Sequence, residues 1–132
     1  EFAGKYRTSN VMISGAKHIP PKYEQLNSLM EELINNYNNN WNNYHPIVKA
    51  SLLHGEFVKI HPFVDGNGRT ARLLLNFVLM KNGYTPIVIK KEDRLRYYES
   101  LDLAHTTNNY KEFIELILEL CVESSNLWKK LI

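Results

Sequence analysis

The chain has 132 residues, of which 44% are hydrophobic and 23% charged, and sixteen basic against fourteen acidic residues give a net charge of +2. This size suits one domain with its own core, and so small a charge predicts no broad surface for nucleic acid. The single cysteine, Cys121, excludes a disulfide framework and cysteine-rich zinc sites, and we expect it in the core. No apolar run approaches the ~18 residues of a membrane span, so we expect no membrane partner.

The first part of the chain predicts a small hairpin followed by a helix. β-Formers on both sides of Ser9-Asn10 and the turn residues Ser14 to Lys17 favour two short strands. A helix is predicted from Pro21 by apolar residues at helical spacing, namely Leu26, Leu29, Met30, Leu33, Ile34 and Tyr37. The asparagine-rich stretch from Asn35 to Asn43 has low helix propensity, and we expect a frayed end or a loop there.

The middle of the chain predicts two helices joined by a turn. Pro46 suits the start of a helix with Val48, Leu52, Leu53, Phe57 and Ile60 on its buried face, and Pro62 forces a break at His61. Asp65-Gly66-Asn67-Gly68 is turn sequence. The helix from Arg69 to Lys81 is apolar nearly all round, so we expect it to be the buried central helix of the domain.

The last part of the chain predicts an extended piece and two more helices. Pro86 to Ile89 is extended, and a helix follows from about Lys91 to Ala104. A final helix from about Tyr110 is expected to bury Phe113, Ile114, Ile117, Leu120 and Leu127. The predicted fold class is therefore all-α, a helical bundle around a central buried helix with a small β-hairpin, in one domain over residues 1–132.

The stretch from His61 to Arg72 combines the features of an anion-binding site. Two glycines flanking Asn67 let successive backbone N–H groups converge, and the loop leads directly into a helix start that favours an anion. Arg69 and Arg72 lie at that start, where each cation opposes the helix dipole by roughly 0.3–1 kcal/mol unless an anion is bound. Because this helix is expected to be buried, both arginines should need partners, and a phosphate chain would provide them.

Two further side chains of this stretch supply reactive chemistry. Asp65 offers a hard oxygen ligand beside the anion, as an Mg²⁺ ion that bridges phosphates requires. His61 lies at the other end of the loop, and histidine is the side chain whose ordinary pKa suits a general base near neutral pH. Separately, a histidine before a proline, a turn and two arginines are commonplace, but their joint occurrence indicates nucleotidyl or phosphoryl transfer.

The same stretch, His61-Pro-Phe-Val-Asp-Gly-Asn-Gly-Arg-Thr-Ala-Arg72, matches every defined position of the Fic motif, His-Pro-Phe-x-Asp/Glu-Gly-Asn-Gly-Arg-x-x-Arg. The chain resembles the Fic protein adenylyltransferases, and the likeness extends over most of its length, from Tyr6-Arg7-Thr8 to Tyr97-Tyr98. The resemblance implies an all-α domain with a β-hairpin flap. It also implies an enzyme that moves AMP from ATP, with Mg²⁺ or Mn²⁺, to a Ser, Thr or Tyr hydroxyl of a target protein or of the enzyme itself.

The resemblance assigns a role to each residue of the motif. His61 would be the base that deprotonates the incoming hydroxyl, and Asp65 would hold the metal against the α- and β-phosphates. Gly66, Asn67 and Gly68 would form the anion hole, with Asn67 on the α-phosphate. Arg69 and Arg72 would hold the leaving β- and γ-phosphates.

The resemblance also assigns residues outside the motif. Tyr97 and Tyr98 would line the nucleotide pocket, and His105 falls near adenine, where relatives often have asparagine. The flap would correspond to Val11, Met12, Ile13 and Ser14, and its exposed edge would pair with the main chain of the target as an added strand.

Many Fic proteins carry an inhibitory helix with the pattern Ser/Thr-x-x-x-Glu-Gly/Asn, whose glutamate pairs with the second arginine of the motif. The nearest match, Ser28 to Glu32, is followed by Leu33 and lies after the flap, so we treat it as coincidence. We expect the inhibitory helix to lie upstream of Glu1. This part of the protein would then be constitutively active, with Arg72 unpaired.

Other functions compete for the same residues. A dinucleotide site fits the run from Gly66 to Ala71, but five residues separate it from any preceding strand, and a metallohydrolase at His54-Gly-Glu56 lacks a Cys-x-x-Cys partner. Within the resemblance, transfer of UMP or phosphocholine, removal of AMP and a non-catalytic nucleotide-binding module stay open. The Asn-, Lys- and Tyr-rich composition favours an AT-rich bacterial genome, and we expect a cytoplasmic location.

Overall fold

Five α-helices carry the fold of this computed structural model, which describes residues 3–131. In chain order the helices are α1 (Leu26–Asn35), α2 (Pro46–Ile60), α3 (Asn67–Lys81), α4 (Arg94–Thr107) and α5 (Lys111–Leu131). Short 3-10 turns, Tyr23–Gln25 and Lys91–Asp93, precede α1 and α4. The helices that the sequence predicts are therefore confirmed, with ends that differ by a few residues. None of the helices in this range is long and apolar enough to cross a bilayer.

The centre of the bundle is α2, which packs against α1, α3, α4 and α5. It begins as predicted at Pro46, and the Nδ1 atom of His45 caps it by accepting the Ile47 N–H at 3.1 Å. Its buried residues include Phe57 and Ile60, which lie in the last turn before the motif. The motif therefore starts from a helix that is held on several sides.

α3 is not the central buried helix that the sequence predicts. It packs mainly against α2 and buries one face, which carries Asn67, Ala71, Leu75, Val78 and Leu79. On its other face Leu73 is 72% exposed, and Phe77 and Met80 are each 58% exposed. An apolar composition all round indicates burial only where neighbours exist on all sides, and within residues 3–131 α3 has a packed neighbour mainly on one.

The predicted hairpin is also absent, because no strand is found among residues 3–131. Residues 8–18, here called the flap segment, form a turn in which the Ala16 N–H donates to the Ile13 carbonyl at 3.3 Å. At the two ends of the segment, main-chain groups are bonded by side chains rather than by a partner strand. Asp102 on α4 accepts hydrogen bonds from the N–H groups of Lys17 and His18 at 3.0–3.2 Å, and these bonds hold the end of the flap segment.

The asparagine-rich stretch is helical as far as Asn40, where its composition predicts a frayed end or a loop, and residues 41–43 form a turn. A π-helical turn, Asn36–Asn40, extends α1. Two amide–amide hydrogen bonds of 2.7 Å, Asn39 to Asn35 and Asn40 to Asn36, run along its surface. Side chains four residues apart meet on a helix, so asparagines at this spacing offset part of their low helix propensity.

The C-terminal part largely follows the prediction. The extended piece before α4 is held by the Asn76 amide, which bonds both the N–H and the carbonyl of Ile87 at 2.8 and 3.1 Å. On α5 the residues Phe113, Ile117, Leu120 and Cys121 are buried, so the prediction of a core cysteine is confirmed. Leu127, which was also expected in the core, is 60% exposed because it lies in the last turns of α5, beyond the helices that cover its first half.

Gly55 allows the start of α5 to pack directly against α2. A Cβ atom at this position would overlap the ring of Tyr110, whose hydroxyl donates to Glu56 at 2.6 Å. We predict that Gly55→Ala lowers the free energy of unfolding by about 1–3 kcal/mol, measured by urea denaturation.

The same substitution made together with Tyr110→Ala is the matched control. Without the ring, alanine should stabilise the helix by up to about 1 kcal/mol, because it has the higher helix propensity. An equal loss in both backgrounds would show that the Tyr110 contact is not the cause.

Candidate active site

The motif occupies the chain reversal between α2 and α3. α2 ends at Ile60, and His61 follows in the left-handed conformation, with φ 53° and ψ 59°. For a residue with a side chain this conformation costs roughly 1–2 kcal/mol, and such residues persist where their surroundings hold them. The predicted general base therefore sits at a strained position, which is common at functional sites.

The His61 side chain is half-buried and electrostatically disfavoured from carrying a proton. Burial lowers its pKa below the usual range, and the nearby Arg7 and His18 lower that pKa further. Its Nδ1 atom is buried without a hydrogen-bond partner among the described residues. Its surroundings therefore favour the neutral imidazole, which is the form that can accept a proton.

The loop after His61 is closed by the Asn67 side chain. Its amide accepts the Phe63 N–H at 2.9 Å and donates to the Phe63 carbonyl at 2.8 Å. Gly66, with φ 80°, occupies the left-handed position just before α3, and its N–H donates to Asp65 Oδ1 at 2.8 Å. The predicted anion-hole residue Asn67 is buried and shapes the loop through the main chain of Phe63.

The start of α3 combines free donors with two arginines. The Thr70 N–H donates to the Gly66 carbonyl at 3.0 Å, so the N–H groups of residues 67–69 have no acceptor within the helix. A Cβ at Gly66 would lie 3.2 Å from Arg69 Nη2, and a Cβ at Gly68 would lie 3.4 Å from Arg72 Nη1. The two glycines therefore let both guanidinium groups lie against the helix start.

The sequence argument that these arginines are buried is wrong, because both are exposed. Arg69 and Asp65 form an ion pair of 3.8 Å whose side chains are 73% and 93% exposed, so it contributes little to stability. The case for an anion site rests instead on two cations placed where the helix dipole opposes them.

The predicted nucleotide-pocket residues on α4 separate into two groups. Tyr98 is 64% exposed and packs edge-on against the ring of the buried Tyr97. Burial raises the pKa of the Tyr97 hydroxyl, and the nearby positive charge of Arg72 partly opposes that rise. His105 lies two turns further on, where its Nε2 bonds the Gly55 carbonyl at 2.8 Å and its ring meets His18. The structure thus brings the tyrosines to the start of α3 and His105 to the base of the flap segment.

His54, which the sequence suggested only as part of a rejected metal site, has a different role in this region. It is fully buried on α2, its Nδ1 donates to the Ala71 carbonyl at 2.9 Å, and its Nε2 accepts the Tyr97 hydroxyl at 2.6 Å. The ring thereby joins α2, α3 and α4 directly beneath the arginines. Its sequence signal is only its register, four residues after Ala50 and three before Phe57 on the buried face.

Arg7 is a residue that sequence reasoning missed, beyond its place in the resemblance. Its guanidinium is buried and hydrogen-bonds main-chain carbonyls near the start of the flap segment, just beyond its end and at the end of α2. No pattern in the sequence distinguishes this arginine from a surface cation. Of the predicted flap residues, Met12 is 81% exposed and Ser14 is exposed, whereas Val11 and Ile13 are partly buried.

Among residues 3–131 no group of three or more His, Cys, Asp or Glu side chains could hold a metal ion. Asp65 is the acidic side chain at the start of α3. One exposed carboxylate fits an ion that takes its other ligands from phosphates and water, as Mg²⁺ does.

Comparison with known proteins identifies the family. The Fic/DOC family model matches residues 1–79, which is more than half of the chain. The chain therefore belongs to the Fic/DOC family, as the motif predicts.

Individual relatives extend the match to most of the chain. Protein adenylyltransferase Fic of Drosophila mojavensis is 42% identical over 123 residues, which make up 92% of this chain and 24% of that protein. A structure of Fic-1 from C. elegans has a TM-score of 0.85 at 31% identity, over 98% of this chain and 37% of that one. A Fic-domain signalling protein from Bacteroides thetaiotaomicron gives 0.82 at 32% identity, over 94% and 53%. The chain thus spans about a quarter of the length of the curated relatives it matches.

The two buried histidines make the domain sensitive to acid. Burial lowers the pKa of His54 and of His105 from 6.5 to about 4. The unfolded chain therefore binds protons between these pH values that the folded chain does not, so stability falls as the pH drops from about 6.5 to about 4 and these histidines add no further loss below that.

The slope of the unfolding free energy against pH in this interval tests whether His54 and His105 cause the loss of stability. His54→Gln and His105→Gln should each reduce the slope by up to one proton, or about 1.4 kcal/mol per pH unit. Slopes that match the unsubstituted chain would contradict it.

Proposed function

We propose that this domain is a protein adenylyltransferase, which transfers AMP from ATP to a side-chain hydroxyl of a target protein. The observation that carries the proposal is that one short loop joins His61, whose pKa is lowered by burial, to the start of α3. There the guanidinium groups of Arg69 and Arg72 lie next to Gly66 and Gly68. Membership of the Fic/DOC family supports it, as do relatives at about 40% identity that are named protein adenylyltransferases.

In the proposed reaction, His61 takes the proton of the target hydroxyl as its oxygen attacks the α-phosphorus of ATP. A bond forms between that oxygen and the α-phosphorus, and the bond from the α-phosphorus to the α–β bridging oxygen breaks. AMP stays on the target, and pyrophosphate leaves. The N–H groups of residues 67–69 stabilise charge on the α-phosphate, while Arg69 and Arg72 neutralise the leaving group.

Asp65 is the residue that would hold Mg²⁺ or Mn²⁺. Its carboxylate is 93% exposed beside the start of α3, where a bound triphosphate would share the ion. When bound, the ion neutralises phosphate charge and orients the triphosphate.

The remaining roles concern the base and the target. Tyr98, exposed beside Tyr97, is placed to contact the nucleotide at the surface, and His105 is proposed to act near adenine from its buried position. The turn at Val11 to Ser14 presents main-chain groups that a target strand could pair with, and the 81% exposure of Met12 supports an open edge.

Labelling with ATP tests the function directly. The domain incubated with Mg²⁺ and ATP labelled in the α-phosphate should transfer label to protein, either to a target in a cell extract or to itself. His61→Ala should lower the initial rate at least about 100-fold, within the range that general bases contribute, while leaving ATP binding largely intact.

His45→Ala is the matched control, because it removes an imidazole at the far end of α2. Undiminished labelling by His61→Ala would refute the assigned base. ATP binding without transfer would favour a nucleotide-binding module, and transfer from UTP or a phosphocholine donor instead would contradict adenylylation.

The arginines make a second prediction. Arg72→Ala should weaken the affinity for Mg·ATP by about tenfold or more, measured by calorimetry, and should change the affinity for AMP much less, because AMP lacks the phosphates it contacts. Arg96→Ala, which removes an exposed cation on α4, should change neither affinity. Equal losses for ATP and AMP in Arg72→Ala would rule out contact with the leaving phosphates.

A further inference from the structure

Arg7 is a buried cation in a chain whose other arginines at the site are exposed. Its side chain is 2% exposed. The guanidinium donates to four carbonyls: Nε to His61 at 2.8 Å, Nη1 to Ser9 at 2.9 Å, and Nη2 to Pro21 at 2.6 Å and to Ile60 at 3.3 Å. Its own N–H donates to the Pro62 carbonyl at 2.9 Å.

These contacts take three successive carbonyls, those of Ile60, His61 and Pro62, so the peptide groups on both sides of the His61 Cα are fixed by one residue. Among residues 3–131 no acidic side chain pairs with Arg7. The negative end of the α2 dipole and the carbonyls supply the compensation that a buried cation needs. Arginine suits the task because it stays charged and directs a planar fork of donors.

The left-handed conformation of His61 needs such a restraint. Its φ of 53° is unfavourable for a side-chain-bearing residue, and a relaxed turn would re-aim the imidazole. Arg7 supplies this restraint from the N-terminal segment, which lies outside the helices on either side of the turn. The same fork binds Ser9 and Pro21, one near the start of the flap segment and one just beyond its end.

Arg7 also acts on the charge of His61. Burial is the largest cause that lowers the pKa of His61, the charge of Arg7 is the second, and His18 at the end of the flap segment is the third. Both of these groups oppose protonation, and no carboxylate is among the influences on His61.

We propose that Arg7 is the positioning residue of the general base: its buried guanidinium and N–H bind the carbonyls around the His61 Cα, and so hold the left-handed turn that aims the imidazole. The inference rests on the proposed function of His61. It adds a physical connection between the flap segment and the base, since one guanidinium binds both. In the proposed role, Arg7 itself contacts neither the nucleotide nor the target.

Two substitutions separate the roles of geometry and charge. Arg7→Lys keeps the charge and loses the fork, and Arg7→Met loses both, with Arg96→Met as the control on an exposed cation. The first measurement is an NMR titration of the His61 ring, which needs no activity. The second is the pH profile of label transfer from ATP, with Mg·ATP affinity measured alongside.

The unsubstituted His61 should titrate below 6.5. Arg7→Lys should keep that midpoint and lower the transfer rate at least about tenfold, with Mg·ATP affinity within about threefold. Arg7→Met should raise the midpoint of both the titration and the pH profile. A merely structural role would change stability without moving either midpoint.

The inference is overturned if His61 in the unsubstituted chain titrates at or above 6.5, or if Arg7→Lys transfers AMP at the unsubstituted rate. Should Arg7→Met fail to fold, these two measurements still decide the matter. A chain that transfers no AMP, yet whose His61 midpoint is low and rises in Arg7→Met, would refute the proposed function while leaving the electrostatic effect of Arg7 in place.

Discussion

The hydrogen bonds that Arg7 makes to the carbonyls at the end of α2 are the interaction on which the site depends. They hold a reversal of residues 61–66, which has a left-handed His61 at its start and a left-handed Gly66 at its end. Two hydrogen bonds between the Asn67 side chain and the Phe63 main chain close the same reversal at its other end. The donors and cations at the start of α3 are thereby in place before any nucleotide binds, which is how electrostatic catalysis avoids reorganisation.

Polar side chains that bind main chain of another element recur throughout the fold. Asp102 holds the flap segment, Asn76 holds the extended piece before α4, and His54 joins α2 to α3 and α4. Each such bond contributes a modest net amount, about 0.5–1.5 kcal/mol, and at the buried His54 the loss of one partner would leave a buried group unsatisfied and cost more. These bonds take the place of a β-ladder, and the flap segment is therefore ordered without a strand partner in this part of the chain.

The sequence predicts what local pattern determines. Proline at the start of α2, helical periodicity and the turn at residues 65–68 place the helices and the motif, and the motif identifies the family. The sequence does not predict that Leu73 and Phe77 are exposed, because periodicity indicates an apolar face and not which neighbours cover it. Arg7 is equally invisible, because its role comes from three chain segments that meet only in the fold. The hairpin prediction for the flap segment fails for the same reason, because the bonds from Asp102 that hold the segment come from a distant part of the chain.

In the proposed mechanism the start of α3 holds a triphosphate whose α-phosphate faces His61. A crystal structure of the domain with Mg²⁺ and a non-hydrolysable ATP analogue would show where the phosphates bind. We expect the β- and γ-phosphates within hydrogen-bond distance of Arg69 and Arg72, and the α-phosphate on the N–H groups of residues 67–69. Phosphates bound away from α3, for instance in the groove between α1 and α2 that His18 and Lys59 line, would contradict it.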